Sequence, residues 1–400
     1  MPTRRLFYED AYRTQFEARV VACAPEGGAW AVELDQTCFF AESGGQPSDT
    51  GLLGGRPVLD VRVREDGAII HLVDAPLEGI VVGQVDWTRR LDLMEQHTGQ
   101  HLLSAAFVHL FGADTLAWHL GAQSTTIDVD MDSLTPEQAE QVERTVNQLI
   151  RSGLAVRTHM TDSAHVHQFP LRKPPAVEGE IRVVEIDGYD WAACGGTHLH
   201  SIGELGLLKI KTWERYKRAV RVTFLAGQRA LNDYLSLDRM TRDLARRLTI
   251  AVDDLPRWAD RTQEEMTSLR NRVRTLQEQL VAREADDLIA GARRVGPALV
   301  VRQTFSGRPL EELRLLAAKV AARPGCVAVF GLRSGAPHLI LHRAVDLRLD
   351  VGKIIREVLP LIEGKGGGSP IQAQGGGGRP ERLEEALDAA VARIAEALGR

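Results

Sequence analysis

The sequence predicts an α+β multidomain fold: an N-terminal β-barrel, an α+β domain, a helical coiled segment and a C-terminal α/β domain. Three observations carry that prediction. At 400 residues the chain exceeds what one hydrophobic core usually serves. Its first ninety residues are short apolar runs punctuated by glycine, whereas residues 228–292 keep a helical period almost throughout. The remainder alternates strand-like and helix-like stretches, the pattern of α/β layering.

Residues 1–90 contain the runs 17–22, 29–34, 58–63 and 68–73, which read as strands. A small barrel or sandwich is the natural way to close them. Inside lies Thr37–Gly51, an apolar run broken by Gly44-Gly45-Gln46-Pro47. A hairpin loop is the plain reading, but its amide, hydroxyls and glycines also suit a loop facing a substrate.

Residues 91–227 read as the α+β domain. A helix over 91–111 precedes a strand at 124–130 and a second helix, with Thr135 as N-cap and Pro136 in its first turn. Strands follow at 153–160, 181–186, 205–211 and 219–225. Lys209, Lys211, Arg215, Lys217, Arg218 and Arg221 lie there beside Trp213 and Tyr216. This stretch is either a solvated sheet edge or a contact for phosphates.

Residues 228–292 carry one stripe at Leu237, Met240 and Leu244. A second, Met266, Leu269, Val273, Leu276 and Leu280, repeats at 3-4-3-4 spacing. That seam suits a helical hairpin or a short coiled coil in a homodimer.

Residues 293–400 alternate strands (298–302, 327–330, 339–342) with helices (310–322, 351–360, 380–399). Between the last two helices sits Glu363–Arg379, with eight glycines among 17 residues and with Lys365 and Arg379. Backbone N–H groups of such a loop can cradle a phosphate. It lacks the Walker spacing, so ATP hydrolysis is not indicated.

The chemistry concentrates in two short motifs, His97-Thr-Gly-Gln-His101 and Cys194-Gly-Gly-Thr-His198. A spacing of four puts both imidazoles of the first on one helical face. The paired Gly195-Gly196 of the second argue for a tight turn and a close backbone approach. Three imidazoles and a thiolate are a donor set that zinc prefers, so one Zn2+ per chain is expected on His97, His101, Cys194 and His198. A zincin protease is disfavoured, because its helix needs Glu directly after the first His and here that position is Thr98.

Composition narrows the setting. Hydrophobic content of 44% and charged content of 26% are those of an ordinary globular protein. A net charge of −5 means that any nucleic-acid partner must be met by a local basic surface. Four scattered cysteines do not form a disulfide framework, and reducing conditions suit a thiolate ligand. No apolar run is long enough to span a membrane and the N-terminus has no signal-type core, so a cytoplasmic protein is expected.

Taken together, four stretches resemble the editing part of alanyl-tRNA synthetases and the freestanding alanyl-tRNA editing proteins of the long type. They are Phe39–Gly51, the His97/His101 helix, Ile181–Asp190 leading into Cys194–His198, and Gly364–Gly368 with Ala373–Gly377. The last resembles a C-terminal DHHA1 domain. The resemblance implies hydrolysis of the ester of tRNA(Ala) mischarged with serine or glycine. Because the β-rich segment starts close to Met1, editing in trans without aminoacylation is the expectation.

The resemblance also implies roles. Thr37 would read the seryl hydroxyl, while Gly44, Gly45, Gln46 and Gln100 would line the substrate. His97 and His101 would serve catalysis through the ion, and Lys209, Lys211, Lys217, Arg218, Lys365 and Arg379 would hold tRNA. His119 stands where the synthetases carry a pocket Gln, a departure that puts the role of the Gln in doubt, though its imidazole could serve catalysis by positioning water. If all four side chains bind the ion, no position is left for a catalytic water. Two other classes stay open. A DHHA1 phosphoesterase should carry an Asp-His-His motif, which the chain lacks, and a non-catalytic zinc-stabilised tRNA-binding protein would fail a deacylation assay.

Overall fold

A computed structural model describes residues 2–175, 179–333 and 335–399. The chain divides into two compact units, residues 1–249 and 250–400.

The first unit opens with strand β1 (Arg4–Arg5), helix α1 (Leu6–Glu9) and strands β2 (Gln15–Glu26), β3 (Ala29–Leu34), β4 (Gln36–Thr37) and β5 (Gly51–Leu53). Strands β6 (Arg56–Val63), β7 (Ile69–Val73) and β8 (Ile80–Val85) follow. Six of them close a barrel in the order β2-β3-β7-β6-β5-β8. Phe16, Val32, Leu34, Phe39, Leu53, Val61 and Ile69 fill it. The sequence pattern does not mark the two strands that complete closure. β5 is only three residues long, and β8 carries Gly83, whose missing side chain makes room for the Phe16 ring. Along β8, Val81 and Val85 point inward while Ile80 and Val82 face solvent, the alternation of a half-buried strand.

Helix α2 (Trp87–Phe111) begins four residues earlier than the pattern suggests, with Asp86 accepting from the Arg89 N–H as N-cap. It ends at Gly112, whose φ of 65° is the left-handed cap that glycine adopts freely. Apart from Leu91 and Asp92, every residue from Arg90 to Phe107 is buried, so this is a core helix and not an amphipathic one. Gln96 inside it bonds both the N–H and the C=O of Ala226.

Strands β9 (Thr115–Leu120) and β10 (Thr125–Val129), helix α3 (Pro136–Ser152), and strands β11 (Val156–Asp162), β12 (Glu180–Ile186), β13 (Asp190–Ala193), β14 (Leu208–Tyr216) and β15 (Ala219–Ala226) surround α2. They form two sheets, β14-β15-β10-β9 and β11-β12-β13. Helix α3 has the Thr135 N-cap and the early Pro136 that the sequence predicts, and Gln138 bonds back to Thr135 to complete a capping box that the sequence reading does not include. Helix α4 (Gly227–Leu248) ends the unit.

The second unit starts with the long helix α5 (Leu255–Ala290). Strands β16 (Arg293–Val295) and β17 (Ala298–Ser306), helix α6 (Leu310–Ala321), strands β18 (Cys326–Arg333) and β19 (His338–Arg343), and helix α7 (Val351–Val358) follow. Strands β20 (Lys365–Gly368) and β21 (Gln372–Gly376) and helix α8 (Leu383–Leu398) complete it. The sheet runs β16-β17-β18-β19-β21-β20, with β17 and β18 parallel. The end of α5 and α6 cover one face, α7 and α8 the other. The apolar stripe Met266, Leu269, Val273, Leu276 and Leu280 is exposed. No helix among the described residues is long and apolar enough to cross a membrane.

The glycine-rich stretch differs from the loop expected. It is the edge hairpin β20–β21, and the N–H groups of Gly364, Ser369, Gly377, Gly378 and Arg379 all donate to protein carbonyls. A phosphate cradle needs those donors free.

Candidate metal centre

One buried charge pair joins the barrel to the helix that carries the first motif. Arg90 of α2 and Asp49 of the Thr37–Gly51 loop are both fully buried and ion-paired. Arg90 also donates to the carbonyls of Ala11 and Cys38, and Asp49 accepts from the Phe40 N–H. Removing either partner would strand a buried charge, so the loop is held rigidly against α2. That clamp brings Gln46 to His97.

His97, His101, Cys194 and His198 converge, each offering one donor atom, with all four atoms within 4.8 Å of one another. Cys194 Sγ lies 3.4 Å from His97 Nε2 and 3.3 Å from His198 Nε2. Tetrahedral zinc with nitrogen and sulfur ligands at about 2.0–2.3 Å keeps its ligands roughly 3.5 Å apart, so the spacing fits. Gln46 Oε1 accepts from the Thr197 N–H and from His97 Nδ1 at 2.8 Å. With Nδ1 protonated, the lone pair of His97 Nε2 points toward the thiol. Nδ1 of His198 lies 3.3 Å from Thr98 Oγ1, which also accepts from the Leu199 N–H. His101 Nδ1 is buried without a hydrogen bond, 3.8 Å from Asp190 Oδ2. Asp190 itself is held by both arms of Arg172.

Glycine in the second motif serves space more than turn conformation. A Cβ at Gly196 would stand 2.2 Å from His97 Cε1, and one at Gly195 would stand 3.2 Å from the Tyr8 hydroxyl. Neither residue has a positive φ. Burial lowers the His97 pKa to about 3 and takes His101 and His198 well below the usual imidazole range, so all three are neutral ligands at pH 7. Burial pushes the Cys194 thiol up, and the Gly196 N–H aimed at its sulfur works against that. The four side chains can therefore hold a metal ion.

Beside the donors opens a cavity of about 350 Å3 lined by Ser43, Gly44, Gln100, Thr115, Trp118, Arg172 and Lys173, among others. Gln100, which lines the cavity, donates through Nε2 to Ser104 Oγ at 2.8 Å. Trp118 stacks on His97 at 4.6 Å between ring centres, and its ring fits against Gly45, where a Cβ would meet it at 3.1 Å. Lys173 donates to the Thr115 carbonyl and has no carboxylate partner among the described residues.

Several expected site residues lie elsewhere. His119 is exposed and does not line the cavity; its neighbour Trp118 does, with its ring against His97. Thr37 is fully buried in the barrel, where its hydroxyl bonds His71 Nε2 at 2.8 Å and accepts from the Phe39 N–H. Of the basic stretch, Lys209 pairs with Glu143, Lys211 with Asp233 and Arg221 with Asp128. Lys217 and Arg218 at the β14–β15 turn have no such partners among the described residues. Arg379 pairs with Glu363. The sequence assigns no site role to Thr98, Trp118, Asp190, Arg172 and Lys173, since nothing in their local pattern marks one; only the convergence of distant segments does.

Comparison with known proteins places this geometry. Residues 181–223, which include Cys194 and His198, match the family model described as the threonyl and alanyl tRNA synthetase second additional domain. The chain is similar to the alanine–tRNA ligase of Methanopyrus kandleri, 33% identical over 96% of this chain and 44% of the ligase. The enzyme of Halorubrum lacusprofundi is 34% identical over 97% of this chain and 43% of the ligase. The chain thus spans less than half the length of these relatives. Among solved structures, the C-Ala domain from Aquifex aeolicus alanyl-tRNA synthetase covers 27% of this chain at 27% identity, with a TM-score of 0.25, too low to carry an argument. The chain is homologous to part of the alanine–tRNA ligases and contains a segment of the second additional domain of threonyl and alanyl tRNA synthetases.

Proposed function

We propose that this chain is a zinc-dependent deacylase that hydrolyses the ester of tRNA(Ala) mischarged with serine, and with glycine as a second substrate. The observation that carries the reading is the buried three-imidazole, one-thiol cluster opening onto a cavity, within a region homologous to alanine–tRNA ligases. His97, His101, Cys194 and His198 would hold the zinc, which supplies Lewis acidity toward an ester carbonyl or a water. Gln100 would accept a hydrogen bond from the seryl hydroxyl, and an alanyl ester would leave that oxygen unpaired. Thr37, whose hydroxyl is committed inside the barrel, would support the loop instead. Lys173 offers the cavity its positive charge for the phosphodiester beside the ester. Trp118 would wall the acyl pocket and exclude water from one side of it.

Two measurements test this. Purified protein should contain about one zinc per chain, falling sharply in Cys194→Ala, and should deacylate seryl-tRNA(Ala) much faster than alanyl-tRNA(Ala). Zinc binding without any deacylation would favour the tRNA-binding alternative. The absence of amino-acid activation belongs to the same proposal and is read by pyrophosphate exchange. So does pairing of the exposed α5 seam with a second copy. Its Val273 between Leu269 and Leu276 suits a two-stranded coil, and Glu265 would meet Arg270 of the other copy, which sedimentation of a Leu269→Glu variant checks.

A further inference from the structure

A buried guanidinium behind the metal loop has no counter-ion. Arg182 of β12 is 8% exposed, and no carboxylate pairs with it among the described residues. Its Nη1 donates to two carbonyls, Cys194 O at 3.0 Å and Gly196 O at 2.8 Å. Its own backbone carbonyl accepts from the Cys194 N–H at 2.9 Å. Cys194 is therefore gripped through both its N–H and its C=O by one residue. Nε of Arg182 is buried without a partner, and the guanidinium lies 5.1 Å from the centre of the Tyr8 ring. A buried charge with an orphaned donor is costly, and an apolar side chain of similar volume would pack there more cheaply. What an apolar chain cannot do is hold two carbonyls of the Cys194–His198 loop on one side while Sγ points to the other.

We propose that Arg182 is the positioning residue of the Cys194 ligand. It pins the carbonyls flanking Gly195 so that Sγ meets His97 and His198. Gly195 and Gly196 belong to the same device, since their missing side chains let the loop pass between Tyr8 and His97. The assignment rests on the metal reading proposed above and adds to it a residue that touches neither ion nor substrate.

The test uses the full chain reconstituted with Co2+, whose thiolate-to-cobalt absorption reports Cys194 directly, alongside zinc affinity by chelator competition. Arg182→Met should weaken zinc by about tenfold or more, the usual consequence of losing an outer support, and should shift or diminish the thiolate band. Arg182→Lys keeps the charge on a side chain one bond shorter than the reach to Nη1, so it meets the two carbonyls less well and should fall between wild type and Arg182→Met. Wild-type zinc affinity and an unchanged cobalt spectrum in Arg182→Met would overturn the proposal. If that variant does not fold by circular dichroism, Arg182→Lys decides, and wild-type values there overturn it equally. A wild-type protein whose cobalt spectrum matches that of Cys194→Ala defeats the metal reading and this proposal with it. A defect confined to Arg182 variants supports this one.

Discussion

Two glycine-rich segments of this chain look alike in composition and do different work. Around Cys194–His198, glycine leaves room for a ligand imidazole, with Gly196 against His97. Around Gly364–Gly377, glycine leaves room for backbone. Positions 366 and 368 sit over the chain of β21, and Gly375 packs on Leu359. The first segment turns its sulfur and imidazole to a buried centre, whereas the second spends its N–H groups on its own hairpin and on Leu359 and Pro337. Glycine content therefore marks close approach, and the neighbour that approaches decides whether the result is a site or a sheet edge.

Breaking that contrast is the most direct test. Gly196→Ala should cost zinc affinity about a hundredfold and abolish deacylation, because the new methyl group overlaps His97. Gly366→Ala, whose Cβ would lie 2.3 Å from Gln374 O, should lower thermal stability by an amount equivalent to about 2 kcal/mol while leaving zinc content at wild type. Chelator competition and a melting curve on both variants settle the matter; a Gly366→Ala protein that loses zinc would erase the distinction. Gln46→Ala should come next, with about a tenfold loss of zinc affinity, since it frees His97 Nδ1 without filling the site.

A third glycine neighbour sharpens the comparison through pH. Gly227, at φ 59°, lies against the Glu95 carboxyl, which accepts from the Gln228 N–H at the start of α4. Burial raises the Glu95 pKa to about 7, with Asp92 adding to it against the opposing N–H. Folding therefore favours the protonated form. That contribution is present in full below the unfolded carboxyl pKa near 4.5 and is lost as pH rises through about 7. Glu95→Gln should raise the melting temperature at pH 8 and leave it unchanged at pH 4; an equal effect at both would show that the carboxyl does not titrate in this window.

The smallest effect concerns RNA. Neutralising Lys217 and Arg218 should lower the slope of log affinity against log salt by about 0.9 for each phosphate that the protein no longer neutralises. Lys365→Gln should do so more than Arg379→Gln, because Arg379 already pairs with Glu363. A slope unchanged in all four variants would place the tRNA on another surface.

Much of this molecule was legible in one dimension. The four donors stood out because ligand types recur at intervals of four, and the α3 cap because Thr135 followed by Pro136 is a local signal read by local bonds. Strands with strict alternation were found for the same reason. Beyond those, tertiary structure decided. Barrel closure depends on three residues of β5 and on Gly83 yielding to Phe16, an arrangement that no window of sequence contains. His119 and Trp118 are adjacent in the chain, and only the facing of β9 puts the indole, not the imidazole, against His97. Thr37 has the right chemistry for a reader of hydroxyls, yet a buried histidine from β7 claims it first. Arg182 and Asp190 are ordinary strand residues until folding sets them beside the four converging donors. Local periodicity determines element and ligand type because both repeat along the backbone; which groups are left free for a substrate depends on partners supplied by distant segments, and that is settled only when the chain closes on itself.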